Sequence, residues 1–346
     1  MTKITIIGSE KSGRTTLAAK LGEKGTVADI TMYEFAKSGQ VLTTIDATGY
    51  PTSIKPLLTA LNLSDIALVC IPPEGPDAYT GECLVALDLL GYKNGIFVLT
   101  KADATYPYAL EELQNTIRKI TADTCMQDWE YMAVSTTSFE GMDELKEMIF
   151  DLSETVNEEL QQHNDQPARV MVDQSFNVTG IGCVVLGVVT QGTIHAKDKM
   201  IAYPANKPVE IRSIQMHDVD AKSAPTGSRV GLALKNIQSK NIDRGFVLSN
   251  EETVSTSLTL NCTLSPFSKG IARDDVTHIF VGLQSAPMRV ETIIVNGNEV
   301  EQTGPGSQCV LHLSGSKEIA YSTQDRFILT NLDEKQRIVA SGFFED

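Results

Sequence analysis

The stretch Gly8-Ser9-Glu10-Lys11-Ser12-Gly13-Arg14-Thr15 has the residue types and spacing of a phosphate cradle. An apolar run, Ile4 to Ile7, precedes it and a helix-forming segment follows. Gly8 and Gly13 permit a tight turn that leaves the backbone amides around Lys11 and Ser12 aimed at an anion, at the start of a helix. The pattern for such loops is G-x-x-x-x-G-K-[ST], so Thr15 stands where a Mg2+-ligating hydroxyl belongs, with Thr16 beside it. Arg14 stands where the pattern has lysine. Its charge is kept, but a planar fork binds phosphate with a different geometry from a point ammonium. Glu10 lies mid-loop, where a carboxylate repels a γ-phosphate, and Lys11 next to it offsets that charge.

Three later stretches supply the remaining parts of a nucleotide site. In Thr43-Thr44-Ile45-Asp46-Ala47-Thr48-Gly49, Asp46 can hold Mg2+ through water, and the Gly49 amide can meet a γ-phosphate. In Phe97-Val98-Leu99-Thr100-Lys101-Ala102-Asp103, the Asp103 carboxylate can accept from the N1 and N2 positions of guanine while the Lys101 stem covers the base. Ser135 and Thr136, in Ala133-Val134-Ser135-Thr136, can close the base pocket. A glycine turn followed by a capping threonine is common in unrelated proteins. Four such stretches in this order, each ending an apolar run, are far more specific, because open α/β sheets bind ligands beyond the carboxyl ends of their strands.

The elements that must position these residues can be read from the same letters. Ile4–Ile7, Ile66–Ile71 and Gly95–Thr100 are short apolar runs bounded by turn residues, as buried parallel strands are. Residues 30–46 read as two strands joined at Ser38-Gly39, and helices fit at 15–21, 80–90, 108–120 and 142–160. This is a doubly wound α/β pattern. The polar stretch 161–169 reads as a linker. From Val170 onward, β-branched runs recur with glycine punctuation and helical periodicity fades, which predicts barrels. The expected fold class is α/β plus β: a P-loop GTPase-type domain over residues 1–165, then β-barrel domains over 166–252 and 253–346.

Bulk properties narrow the function. Hydrophobic residues make up 42% and charged residues 21%, which suits a folded chain rather than a disordered one. No apolar run approaches the roughly 20 residues that span a bilayer, so no membrane role is expected. The first residues enter a strand directly, which predicts a cytoplasmic protein without a signal peptide. The six cysteines show no C-x-x-C pair and suit reduced thiols. The five histidines lack metal-ligand spacing. A net charge of −15 argues against gripping nucleic acid with a broad basic face, though not against a local basic groove.

With these residues in hand, the chain resembles the translational GTPases, the family of elongation factor Tu and of the selenocysteine factor SelB, with archaeal SelB nearest. The Thr100-Lys101-Ala102-Asp103 form of the guanine motif, the run from Phe176 to Met200, Arg244-Gly245-Phe246-Val247-Leu248, and the final strands near Ile279 and Val339 carry the likeness over the whole length. It implies a carrier of a special aminoacyl-tRNA that binds GTP or GDP with Mg2+, works with the ribosome and is a monomer. It also implies that Thr15, Asp46 and Thr26 are the metal-side residues, and that Asp173, Gln174 and Phe176 line an aminoacyl pocket, with Phe176 as ordinary barrel core the plainer alternative.

The departures from the family cluster at the γ-phosphate. Tyr50 follows Gly49 where the family has the histidine that positions the attacking water, and a phenol is an ineffective substitute. Only residues 17–25 separate Thr16 from Thr26, and a helix rising about 1.5 Å per residue uses most of them, so a first switch is nearly missing. Gln174 replaces the cationic pocket residue, which disfavours selenocysteine itself. A fourth SelB domain is not expected, since the sequence read ends at Asp346, just after the last strand of the third. Hydrolysis is therefore expected to be slow or lost. Against this stands a non-catalytic protein that uses the same body to bind RNA or the ribosome without nucleotide cycling. The gamma subunit of initiation factor two and the GTPase subunit of sulfate adenylyltransferase share the body plan, but residues 17–45 hold no cysteine knuckle and nothing marks the enzyme.

Overall fold

A computed structural model describes residues 2–37 and 40–345, in two compact units that part between Glu159 and Leu160. The first unit is built on a seven-stranded sheet. Its strands are β1 (Lys3–Ile7), β2 (Glu23–Val27), β3 (Thr31–Lys37), β4 (Gln40–Asp46), β5 (Ile66–Ile71), β6 (Gly95–Leu99) and β7 (Glu130–Ala133). They lie in the order β2-β3-β4-β1-β5-β6-β7. β4, β1, β5, β6 and β7 run parallel, while β3 is antiparallel to β4 and β2 to β3. Every residue of β1, β5 and β6 is buried, which is why their sequences are apolar without alternation. The helices are α1 (Arg14–Leu21), α2 (Lys55–Leu63), α3 (Ala78–Leu90), α4 (Pro107–Thr121) and α5 (Met142–Gln161).

Two of these elements depart from the sequence expectation. α2 is buried along nearly its whole length, so it has no polar face to give it a helical period. β2 occupies the residues that remain after α1. Its Glu-Lys-Gly-Thr-Val has no strand alternation, and it exists through pairing, with Glu23 opposite Glu34, Lys24 opposite Tyr33 and Val27 opposite Thr31. The segment where a first switch would fold is thus an edge strand. Thr26 lies on its backbone, and its side chain is outside the described residues, as is the turn expected at Ser38-Gly39.

The second unit contains two closed six-strand barrels. The first begins with β8 (Arg169–Val178) and β9 (Gly182–Gln191) and continues through Lys199–Tyr203, Lys207–Met216, Arg229–Lys235 and Val247–Ser249. The pairing of Lys199–Tyr203 with Lys207–Met216 closes it. The second comprises Thr253–Leu264, Val276–Val281, Gln284–Val295, Gln308–Tyr321, Arg326–Thr330 and Ile338–Phe344. Each has its own apolar core, so each satisfies the inward half of its alternating pattern. The stretch expected to be a linker is bonded onto the first barrel: the Thr226 amide donates to Asn164 Oδ1 at 3.0 Å and the Gly192 amide to the His163 carbonyl.

Candidate functional site

The Gly8–Gly13 loop leaves β1 and enters α1 at the carboxyl end of the sheet, beside β4 and β5. Gly13 is left-handed (φ 87°) and so is Lys11 (φ 64°), which wraps the loop. A Cβ on Gly8 would stand 2.6 Å from the Cys70 carbonyl oxygen of β5, so only glycine allows this close approach. Thr100, at the end of β6, holds the loop from the other side: its buried hydroxyl donates to the Ser12 carbonyl at 2.6 Å. It supports the loop and has no face left for a ligand. The buried Ser12 Oγ has no hydrogen-bond partner among the described residues. Lys11, Thr15 and Thr16 are exposed.

Arg14 is turned inward and is 8% exposed. Nη1 donates to the Gly8 carbonyl at 2.7 Å, Nη2 donates to the Tyr50 carbonyl, and Nε lies 3.3 Å from Asp46 Oδ1. Its whole fork is spent on protein oxygens. Asp46, wholly buried at the end of β4, receives the Thr15 hydroxyl on Oδ2 at 2.7 Å. Burial pushes the Asp46 carboxyl above the usual range, while the Thr15 hydrogen bond and the Arg14 charge pull it back.

The Asp46-x-x-Gly49 turn is closed in the same way. The Gly49 amide, expected to meet a γ-phosphate, donates to the Asp29 carbonyl at 2.9 Å. The Thr48 hydroxyl reaches the same carbonyl at 3.3 Å, and Thr31 and Thr48 are joined through their hydroxyls. A Cβ on Gly49 would meet Pro56 Cγ at 2.7 Å. Tyr50 is 1% exposed, and its hydroxyl donates to the Tyr79 carbonyl at 2.7 Å. Burial drives that hydroxyl far upward, with Cys83 and Glu82 adding to the shift. The ring packs edge-on against Tyr79 and under the Arg14 guanidinium.

The base end is shaped differently. Lys101 is left-handed (φ 54°) and starts a single 3-10 turn, Ala102–Ala104, which leaves Asp103 exposed at its head. The Ala102 amide donates to the Val134 carbonyl at 3.1 Å, which ties this loop to the one after β7. There Ser135 is buried, and its hydroxyl accepts from the Thr137 and Ser138 amides, while Thr136 is partly exposed. Lys101, Asp103, Ser135 and Thr136 are therefore brought to one end of the sheet, where the Asp103 side chain is exposed and makes no hydrogen bond or ion pair among the described residues.

The barrel residues are arranged around a β-bulge. The β8–β9 register slips between Val172 and Gln174, so Asp173 is the extra residue and points inward. It is buried between Arg244, whose Nε is 3.2 Å from Oδ1, and Arg229, whose Nη2 is 3.5 Å from Oδ2. The buried Nη1 of Arg229 has no hydrogen-bond partner among the described residues. Sequence reasoning missed both arginines, because they lie 56 and 71 residues away. It looked for the cation at Gln174, which is only partly buried. Phe176, whose plainer reading was barrel core, is 40% exposed. The bulge explains this: continuing the alternation of Val170 and Val172 would point residue 176 inward, and one extra residue flips the face.

Comparison with known proteins gives four findings. Residues 182–249 match the family described as elongation factor Tu domain 2. An uncharacterized protein of Methanocaldococcus jannaschii is 34% identical over 325 residues, covering 93% of this chain and 94% of that one. The selenocysteine-specific elongation factor of the same organism is 26% identical over 361 residues, covering 95% of this chain and 76% of its own. In structure, the chain is similar to translation elongation factor SelB from Methanococcus maripaludis, crystallised with the GTP analogue GppNHp. The TM-score is 0.86 at 23% identity, over 100% of this chain and 79% of that one.

Proposed function

The chain belongs to the translational GTPase superfamily and is SelB-like, and from that premise we propose that it carries a special aminoacyl-tRNA and holds a guanine nucleotide without a fast hydrolytic cycle. One observation carries the reading: the γ-phosphate side is bonded shut by the protein itself, with the Gly49 amide on Asp29, while the Asp103 side stays open. A guanine nucleoside diphosphate needs the loop amides and the base pocket but not Gly49 or Tyr50. The expected ligand is therefore GDP, with a non-hydrolysable GTP analogue binding no more tightly. Titration of the protein with both, and with ATP as competitor, tests this. Hydrolysis of GTP at ordinary GTPase rates would overturn it.

Guanine selection rests on Asp103. Hydrogen bonds to a charged group contribute about 1.5–3 kcal/mol, so Asp103→Asn should cut the preference for guanine over other bases by about tenfold or more. Indifference to this substitution would favour the second reading, an RNA- or ribosome-interaction protein without nucleotide cycling. That reading is supported by the spending of Arg14 on protein oxygens.

The carrier half of the proposal rests on the first barrel. Asp173 with Arg229 and Arg244 forms a cluster of net positive charge, and Arg229 Nη1 offers a donor to an anionic or accepting aminoacyl group. Phe176 stands exposed on the same strand, three residues beyond Asp173. Because much of its ring is already in solvent, Phe176→Ala should change stability by less than about 1 kcal/mol. It should also weaken protection of the aminoacyl ester of a charged tRNA several-fold. If no charged tRNA is protected by the wild-type protein, the carrier role fails. The ribosome is the expected destination of such a complex.

A further inference from the structure

We infer that Arg14 is a built-in cation that takes the place of Mg2+, so that this site accepts a guanine nucleoside diphosphate without a metal. The inference rests on the nucleotide reading above and extends it to the cofactor. The metal that the fold family implies does not fit the residues present. A divalent ion here would draw on Thr15, Asp46 and a residue of the first switch. The Thr15 hydroxyl donates to Asp46 Oδ2 at 2.7 Å and keeps its own lone pairs, but the other carboxylate oxygen already faces the Arg14 Nε at 3.3 Å, so the anion that would attract the ion is paired with a cation. Asp46 is wholly buried, and its Oδ1, which accepts no hydrogen bond among the described residues, meets the positive charge of Arg14 instead. The third partner, Thr26, belongs to a segment paired into the sheet edge as β2.

The guanidinium also supplies part of what the ion would have supplied. Mg2+ at such a site neutralises the aspartate and presents positive charge beside the phosphates. Arg14 does the first by pairing with Asp46. The positive field beside the phosphates is left to the amides of the Gly8–Gly13 loop and the first turn of α1, at whose first position Arg14 stands. Its attachments to the Gly8 and Tyr50 carbonyls fix the fork in place, so the charge is present before any ligand arrives. A lysine has one point charge and no fork, and it could not hold both carbonyls and the carboxylate together.

The test is binding of GDP carrying a fluorescent methylanthraniloyl group on its ribose to the full chain, once in excess EDTA and once in millimolar Mg2+. Wild-type affinity should agree within about twofold between the two buffers, and Arg14→Lys should bind at least about tenfold more tightly with Mg2+ than without. The two wild-type titrations decide the cofactor question without the variant. Wild-type binding that is tenfold or more tighter in Mg2+ overturns the inference and leaves the nucleotide reading standing. A lysine variant as indifferent to Mg2+ as the wild type overturns the assignment to Arg14. Absence of binding in both buffers overturns the nucleotide reading and this inference with it.

Discussion

Replacing Arg169 with methionine is expected to cost the folded chain about 3–5 kcal/mol, the loss seen when one partner of a buried ion network is removed. Arg169 opens β8, and its guanidinium is gripped from two sides. Nε and Nη2 reach Glu252 at 2.7 and 3.2 Å, and Nη1 and Nη2 reach Asp325 at 2.9 and 2.6 Å. Glu252 lies just before the first strand of the second barrel and Asp325 just before the strand Arg326–Thr330, so one side chain of the first barrel fastens two segments of the second. The Glu252 side chain is 1% exposed, and without the arginine its charge has neither water nor a partner. Methionine matches the stem in length, so the loss reads the charge network rather than a cavity. Arg169→Lys should recover only part of it, because an ammonium cannot hold two carboxylates bidentately. Urea unfolding of the full chain, followed by far-ultraviolet circular dichroism, measures this. A wild-type midpoint for the methionine variant would show that the pairs contribute nothing net.

The sequence was most informative where a residue's own backbone or its near neighbours decide the structure. β1, β5 and β6 are buried on both faces and read as unbroken apolar runs, so their limits were legible to within a residue. The phosphate loop was legible because Gly8 and Gly13 are needed for backbone reasons that hold with or without a ligand. The same letters hid whatever depends on distant partners. β2 forms only because β3 offers an edge. The direction of Arg14 is set by a carbonyl 36 residues away. The closed state of Gly49 depends on the backbone of Asp29, which no side-chain pattern announces. In the first barrel, a single-residue bulge at Asp173 reversed the facing of Phe176, and alternation alone cannot signal such a slip. The departures Arg14 and Tyr50 were visible as letters. What they do became visible only as contacts.

Arg14→Met should be the most damaging change in the first unit, costing about 3–5 kcal/mol near neutral pH. The substitution strands a wholly buried Asp46 with only the Thr15 hydroxyl, and it takes the donor from both the Gly8 and Tyr50 carbonyls. The pH dependence identifies the cause. Burial already raises the folded-state Asp46 carboxyl above its ordinary value, and Arg14 restrains that rise. An acid with a raised folded pKa binds more protons folded than unfolded. Stability therefore falls as pH climbs from the unfolded value, about 3.9, through the folded one. Removing Arg14 carries the folded value higher and extends that fall toward neutrality. The variant's deficit against wild type should thus be smaller at pH 5 than at pH 8, where the lone carboxylate must stay charged or take up a proton at a cost. Asp46→Asn in the same background should restore much of the loss, because it removes the stranded charge, and the double-mutant cycle then isolates the coupling between the two side chains. A deficit equal at both pH values would place the damage in the lost carbonyl bonds instead. In either case, the guanidinium is already fully engaged in holding the loop to the Asp46 turn, so a phosphate must bind to what Arg14 has assembled rather than draw it away.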